Sequence, residues 1–227
     1  MRSLFPAPAT LLAVASAAAL AAVAAGCGSG GAETQETTPI VCRRVPEPEP
    51  RSVPAHRKST AMLSGQLRWT ATVVTNCGTF EITLDAARQP RTTGSFATLA
   101  RSGFYDGLAF YRIARGFVIQ GGDPTGQGAG GPGYTITETP PRDARYTHGV
   151  VAMAKTATEQ DGTSGSQFFI VTGEDAQLPP QYALLGRVTA GLDVVDAIND
   201  QPLESSDPQG SRPVSPVVIE HVSIAHD

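Results

Sequence analysis

The sequence predicts a mostly antiparallel β-barrel or sandwich with two capping helices. Short segments in which apolar and polar residues alternate recur from residue 67 onward, separated by turns rich in Gly and Pro. Only two segments have apolar residues at helical spacing, and none follows the strand–helix–strand order of a parallel sheet. The 227 residues, 41% of them hydrophobic and 17% charged, have the composition of a globular protein.

The first predicted elements are a β-hairpin and a helix. Alternating apolar residues on both sides of "NCG" indicate the hairpin, and these residues are Trp69, Ala71, Val73, Phe80, Ile82 and Leu84. The segment "RTTGSFATLARSG" follows it. We expect a threonine cap at the start of this helix, Phe96 and Leu99 on one face, and Gly103 at its end.

The remaining predicted elements are six strands and a second helix. We expect strands at residues 109–113, 117–121, 150–154, 168–172, 183–188 and 217–225. The helix, "GLDVVDAIND", places Leu192, Val195 and Ile198 on one stripe. The stretch "GQGAGGPG" does not open a helix, so we interpret it as a surface loop and not as a nucleotide-binding loop.

Residues 1–27 are predicted to be a secretion signal. An early arginine precedes an Ala-, Leu- and Val-rich run that is shorter than the ~20 residues of a spanning helix. The end of this run, "AAGC", resembles the bacterial lipobox. That resemblance implies lipidation of Cys27 and attachment to the outer face of the cell membrane. Secretion without a lipid is the alternative.

Residues 28–66 indicate a disordered or partly extended tether, because they are rich in Gly, Pro and Glu and lack periodic hydrophobicity. Residues 67–227 form the single predicted domain. If Cys27 carries a lipid, Cys42 and Cys77 remain as a pair that could form a disulfide in an oxidising compartment. Two unrelated small apolar cysteines are the alternative.

Several classes of function lack support in the sequence. The net charge is −4 and the basic residues are scattered, which argues against a nucleic-acid partner. The four histidines do not cluster, and no phosphate-binding loop, hydrolase nucleophile motif or metal-binding helix motif occurs. We therefore expect no cofactor and no metal.

Two segments combine polar residues with large aromatic residues in predicted strands. "FYRIARGFVIQGGD" carries Arg112 and Gln120, and "SGSQFFIVTG" carries Gln167 and two phenylalanines. Because alternate residues of a strand share a face, we expect Phe168 in the core and Phe169 outward beside Gln167. An apolar patch fringed by an arginine and two glutamines is typical of a ligand site.

A guanidinium in such an apolar run needs a partner, because burying an unpaired charge is costly. Taken alone, Arg112 could be an arginine at the edge of the core that pairs with a carboxylate such as Asp106 or Asp123. A ligand is the alternative partner.

These segments resemble the cyclophilin family of peptidyl-prolyl cis/trans isomerases. "FYRIARGFVIQGGD" matches the family signature, "GVVAMAK" its Met-Ala strand and "GSQFFI" its Gly-Ser-Gln-Phe-Phe block, in the family's order. The resemblance runs from about Arg68 to Ala225. It implies an eight-stranded antiparallel barrel capped by two helices, and isomerisation of X-Pro bonds without a cofactor.

The resemblance also implies the site residues. Arg112 and Gln120 take the catalytic positions. The implied substrate-binding residues wall a proline pocket, offer backbone to the substrate or line an adjoining groove, and they are Phe117, Val118, Ala154, Lys155, Gln167, Phe169, Leu178, Tyr182 and Leu185. Gln177 stands where the family typically has a tryptophan that contacts cyclosporin, so we expect weak inhibition by that drug.

The expected function is isomerisation of prolyl bonds in exported proteins at the cell envelope. We expect a monomer that reaches the membrane only through its lipid and whose partners are proline-containing peptides and unfolded or exported proteins. The alternative is a proline-peptide binding module with little catalytic activity. Arg112 favours the enzyme, because binding a proline ring requires only an apolar pocket.

Overall fold

Eight β-strands form one curled antiparallel sheet against which two helices pack, and this confirms the predicted fold class. The computed structural model describes residues 39–52 and 55–227. Its elements, in chain order, are β1 (Trp69–Thr75), β2 (Gly78–Leu84), α1 (Pro90–Arg101), β3 (Phe110–Ala114), β4 (Val118–Gly121), β5 (Ile136–Thr137), β6 (Val150–Met153), β7 (Thr163–Ser164), β8 (Phe168–Val171), β9 (Leu184–Ala190), α2 (Leu192–Asn199) and β10 (Ile219–His226). The strand order in the large sheet is β10-β1-β2-β9-β6-β8-β4-β3.

The two edge strands of the large sheet meet at one end. The Gly107 amide donates to the Ile219 carbonyl at 2.7 Å, and the Phe110 amide donates to the Val217 carbonyl at 2.8 Å. These bonds join the start of β3 to the start of β10, so the curled sheet closes there and its edge groups are paired. Strands β5 and β7 form a separate sheet of two residues each, which is too short to produce a pattern in the sequence.

Alternation along β8 divides its side chains between two apolar clusters, as predicted. Phe168 and Ile170 belong to the main core, which the inward faces of β1, β2 and both helices share. Phe169 and Val171 belong to a second cluster on the opposite face, together with Val118. The second cluster forms the wall on which the site is built.

Helix α1 begins one turn earlier than the predicted threonine cap, which is therefore wrong. Pro90 occupies the first turn, where a missing backbone N–H costs no hydrogen bond, and Gln89 precedes it without a side-chain cap. The Glu138 carboxylate instead accepts hydrogen bonds from the amides of Arg91 at 3.1 Å and Thr92 at 2.7 Å. The cap comes from a distant segment, which local sequence cannot reveal.

The segment before the barrel lies against it over the part that the structure describes. Residues 39–52 and 55–66, here called the N-terminal strap, contain no helix or strand but share one compact unit with the barrel. Cys42 is disulfide-bonded to Cys77 in the β1–β2 turn, and Leu63 is buried in the main core. The domain therefore begins before the predicted boundary. A covalent bond and scattered contacts attach the strap, and neither requires periodic hydrophobicity.

The predicted secretion signal and Cys27 lie outside the described residues, as does the first part of the predicted tether up to residue 38. Within residues 39–52 and 55–227, no helix combines the length and the hydropathy that crossing a membrane requires.

Candidate functional site

Arg112 lies on β3 directly opposite Gln120 on β4. Its Nη1 donates to Gln120 Oε1 at 3.0 Å, and its Nε donates to the Gln209 carbonyl at 2.6 Å. The third nitrogen, Nη2, has no hydrogen-bond partner among the residues that the structure describes. The guanidinium is thus held at two of its nitrogens and keeps the third for another group.

The pairing of Arg112 with a carboxylate, which the sequence left open, does not occur within the described ranges. Asp106 contacts the imidazole of His221 at 3.1 Å. Asp123 is buried and accepts hydrogen bonds from the loop that follows it, including one from the Thr125 amide at 2.7 Å. The groups that Arg112 contacts are therefore Gln120 and the Gln209 carbonyl, and not a carboxylate.

A chain of polar side chains leads away from Arg112. Gln120 Nε2 donates to the Tyr111 hydroxyl at 2.5 Å, and that hydroxyl donates to Gln167 Oε1 at 2.6 Å. Gln167 Nε2 in turn donates to the carbonyls of Gly128 and Gly130, at 3.1 and 2.9 Å. This chain joins the two motifs of the sequence and attaches them to the glycine-rich loop.

Tyr111 is a site residue that the sequence analysis missed. Strict alternation would put it on the face opposite Arg112, but the β3–β4 register shifts between Phe110 and Arg112, so both side chains reach Gln120. Burial raises the pKa of Tyr111 above its usual value; the charge of Asp123 adds to this rise and that of Arg112 opposes it. The hydroxyl therefore stays protonated and can donate and accept at once.

Next to the guanidinium lies a cavity of about 190 Å³. It brings together most of the implied substrate-binding residues, and its lining is Arg112, Phe117, Val118, Gln120, Ala154, Lys155, Phe169, Leu178 and Tyr182. A cavity of this volume suits one small side chain and is below the range of drug-sized ligands.

Tyr182 is held in the wall of this cavity by its neighbour Tyr146. The Tyr146 hydroxyl donates to the Tyr182 carbonyl at 2.6 Å and accepts from the Tyr182 amide at 3.0 Å. Burial raises the pKa of Tyr146 to about 12, partly offset by the hydrogen bond that the Tyr182 amide donates to its oxygen. Tyr146 thereby fixes the backbone of the segment that closes the cavity.

Leu185, expected in the pocket wall, lies elsewhere. Its side chain is fully buried in the main core, and it does not line the cavity. Its neighbour Leu184 belongs to the second cluster with Phe169. Because successive residues of β9 point to opposite faces, the predicted assignment of Leu185 to the pocket is wrong.

A groove of about 540 Å³ adjoins the cavity, and Gln167 lies in it as the resemblance implies. Ala154 and Lys155 line both the groove and the cavity. The Lys155 side chain is only 4% exposed, and its ammonium donates to the Glu159 carbonyl at 3.2 Å and lies 5.5 Å from the centre of the Tyr182 ring. The loop after β6 therefore folds back on Lys155. This lysine lies where the groove and the cavity adjoin.

Gln177 is exposed and has a left-handed backbone, with φ of 52°. Its amide donates to Asp175 Oδ1 at 2.8 Å, and it is not part of the cavity lining. Weak inhibition by cyclosporin stays a prediction.

The site is therefore a guanidinium beside a small cavity on a curled eight-stranded antiparallel sheet. The family model "Cyclophilin type peptidyl-prolyl cis-trans isomerase/CLD" matches residues 70–224. The chain belongs to the cyclophilin family and is a peptidyl-prolyl cis-trans isomerase.

Relatives from two bacteria cover most of the barrel. Peptidyl-prolyl cis-trans isomerase A of Mycobacterium tuberculosis is 37% identical in an alignment of 174 positions that covers 69% of this chain and 92% of the relative. Peptidyl-prolyl cis-trans isomerase B of Streptomyces anulatus is 37% identical in an alignment of 172 positions that covers 68% of this chain and 95% of the relative.

Among solved structures, a Cryptosporidium parvum cyclophilin type peptidyl-prolyl cis-trans isomerase in the presence of the dipeptide Ala-Pro is similar in fold. It has a TM-score of 0.63 and 28% identity, covering 70% of this chain and 99% of its own.

Proposed function

We propose that Arg112 is the catalytic group of this isomerase and that its substrates are X-Pro bonds in proteins exported to the cell envelope. The proposed catalytic role is supported by the position and contacts of the Arg112 guanidinium. Two of its nitrogens are held by Gln209 and Gln120, and it lines the cavity. The cavity walls that would hold the proline ring include Phe117 and Phe169.

The proposed chemistry lowers a rotational barrier and breaks no covalent bond. A peptide bond resists rotation by ~18–20 kcal/mol because its nitrogen shares the lone pair with the carbonyl. A hydrogen bond from Arg112 to the prolyl nitrogen would favour the pyramidal nitrogen, in which the lone pair is no longer shared. Each ~1.4 kcal/mol of such stabilisation accelerates the reaction about tenfold.

The proposed location rests on two features of the N-terminal region, its secretion signal and its disulfide. Residues 1–27 have the pattern of a secretion signal that ends in a lipobox. The disulfide between Cys42 and Cys77 supports export, because disulfides persist in oxidising compartments and are rare in the cytosol. With a lipid on Cys27, the disulfide at Cys42 would follow the anchor after 15 residues, which span at most ~50 Å when fully extended.

The catalytic part is tested by isomerisation of an Ala-Pro peptide. We expect Arg112→Ala to lower kcat/KM by about 100-fold, the scale of losing a donor that stabilises a transition state. Arg142→Ala, which removes an exposed arginine outside the cavity, should match the wild type. An Arg112→Ala variant as fast as the wild type would show that another group is catalytic.

The location is tested by mass spectrometry and fractionation of cells that produce the full chain. We expect a mature N-terminus at Cys27 carrying acyl chains, found in the membrane fraction, and release of the domain after Cys27→Ser. An unprocessed N-terminus in the cytosolic fraction would overturn the proposed export.

A further inference from the structure

The loop of residues 204–212, here called the arginine loop, packs on Arg112. We propose that this loop is a positioning element for the guanidinium, an inference that rests on the proposed catalytic role of Arg112. The contact is the hydrogen bond of 2.6 Å from Arg112 Nε to the Gln209 carbonyl, between residues 97 positions apart. Because the acceptor is a backbone atom, the contact depends on the conformation of the loop.

The arginine loop is attached to the barrel on both sides of this contact. Ser211 and Ile113 exchange two backbone hydrogen bonds of 2.8 and 3.0 Å, which extend β3 by one bridge beside Arg112. The Glu204 amide donates to the Arg212 carbonyl at 3.0 Å and closes the base of the loop. The Gln209 carbonyl is therefore presented from a closed frame and not from a free loop end.

A turn inside the loop orients the Gln209 carbonyl. Asp207 Oδ1 accepts from the Gln209 amide at 2.8 Å, and the Asp207 carbonyl accepts from the Gly210 amide at 2.9 Å. These two bonds hold both peptide groups that flank Gln209. The carbonyl is then directed at Arg112 before any substrate is present.

Gly210 allows the loop to approach Arg112 this closely. Its φ of +101° is a backbone conformation that residues with side chains rarely adopt. A Cβ at this position would lie 3.0 Å from Arg112 Cγ and 3.1 Å from Arg112 Nε. Any side chain at residue 210 must displace either the loop or the arginine.

The physical benefit is a restricted arginine. A free arginine side chain carries ~2 kcal/mol of rotamer entropy, part of which an unrestrained guanidinium would lose on reaching the transition state. Acceptors at Nε and Nη1 remove that freedom in advance and leave Nη2 for the substrate. Preorganised donors of this kind act mainly on kcat.

The test compares Gly210→Ala with a matched glycine. Gly107 also has a positive φ, +79°, but a Cβ there would meet nothing within 4 Å. We expect Gly210→Ala to lower kcat about tenfold in the Ala-Pro peptide assay with little change in KM, whereas Gly107→Ala keeps wild-type kinetics. Both variants should have a lower melting temperature than the wild type, because both carry the strain of a positive φ.

Two further experiments distinguish the positioning role of the arginine loop from the catalytic role of Arg112. In an Arg112→Ala background, Gly210→Ala should have no further effect on kcat. The ¹⁵N-detected Nε–H signal of Arg112 should exchange slowly with water in the wild type and at least several-fold faster in Gly210→Ala. Loss of activity in Arg112→Ala, with wild-type kcat and exchange in Gly210→Ala, would overturn the positioning role alone.

Asp207→Ala tests the same contact without added bulk, because it removes only the acceptor of the Gln209 amide. We expect about a threefold lower kcat and faster Nε–H exchange. The positioning role is also overturned if Gly210→Ala slows the Arg112→Ala enzyme as much as it slows the wild type.

Discussion

Arg112 and Gln120 face each other across the β3–β4 pair, and the 3.0 Å bond between Arg112 Nη1 and Gln120 Oε1 determines how the amide of Gln120 is oriented. Since the amide oxygen accepts from the arginine, the amide nitrogen faces Tyr111 and Gln167. The two motifs that carry Arg112 and Gln167 are therefore one hydrogen-bonded unit in which the orientation of each side chain depends on the next.

Replacing Gln120 tests this dependence. We expect Gln120→Leu to lower kcat/KM about tenfold, which equals ~1.4 kcal/mol, because Arg112 Nη1 loses its acceptor. Gln120→Glu keeps an acceptor for the arginine and loses the amide donor to Tyr111 and Gln167, so it should retain more activity. Steady-state kinetics on a proline peptide measure both variants, and equal losses would contradict the role of Gln120 as an acceptor.

Replacing Leu178 should affect mainly substrate binding, and replacing Leu185 should affect mainly stability. Leu178 lines the cavity, whereas Leu185 lies in the main core. Leu185→Ala should lower the free energy of unfolding by about 2–5 kcal/mol, the usual range for a buried leucine, with little change in KM. Leu178→Ala should raise KM several-fold and cost about 1 kcal/mol or less. Urea unfolding and peptide kinetics separate the two, and a raised KM in Leu185→Ala alone would return that residue to the pocket.

The disulfide between Cys42 and Cys77 closes a loop with a sequence separation of 35 residues. In the chain-entropy model, such a loop stabilises the fold by about 3–4 kcal/mol. We expect a reductant to lower the free energy of unfolding by about this amount, as measured with urea. The doubly substituted Cys42→Ser, Cys77→Ser variant should already show the loss and should not respond to the reductant. A response to reductant in that variant would mean that the effect has another source.

Stability should fall above pH 10 through Tyr146, whose pKa burial raises to about 12. Between pH ~10 and about 12 the unfolded chain releases this proton while the folded protein keeps it, so the contribution is full below pH ~10 and lost toward pH 12. Tyr146→Phe should cost about 1 kcal/mol at pH 8, because the Tyr182 backbone loses its partner. Above pH 10 its stability should decline less steeply than that of the wild type, and parallel declines would contradict this assignment.

Local patterns predicted the fold class and most of its elements because each of them depends on neighbouring residues. The alternation around the "NCG" turn became β1 and β2, and that in "SQFFIV" separated Phe168 from Phe169. The threonine cap, expected from local residues, and the pocket position of Leu185, implied by the resemblance, were wrong. A cap from Glu138 and the choice of face at Leu185 depend on elements far away in the chain.

By itself, the sequence determined that the chain is a mostly antiparallel β protein with an arginine among aromatic residues, since strand periodicity and residue type are local properties. Only the tertiary structure decided what that arginine contacts. Gln120 lies eight residues away and Gln209 lies 97 residues away, and a register shift in β3 adds Tyr111 to the same network. Hydrogen bonds act over about 3 Å in space whatever the separation along the chain, so the geometry of the site emerges only when the barrel closes.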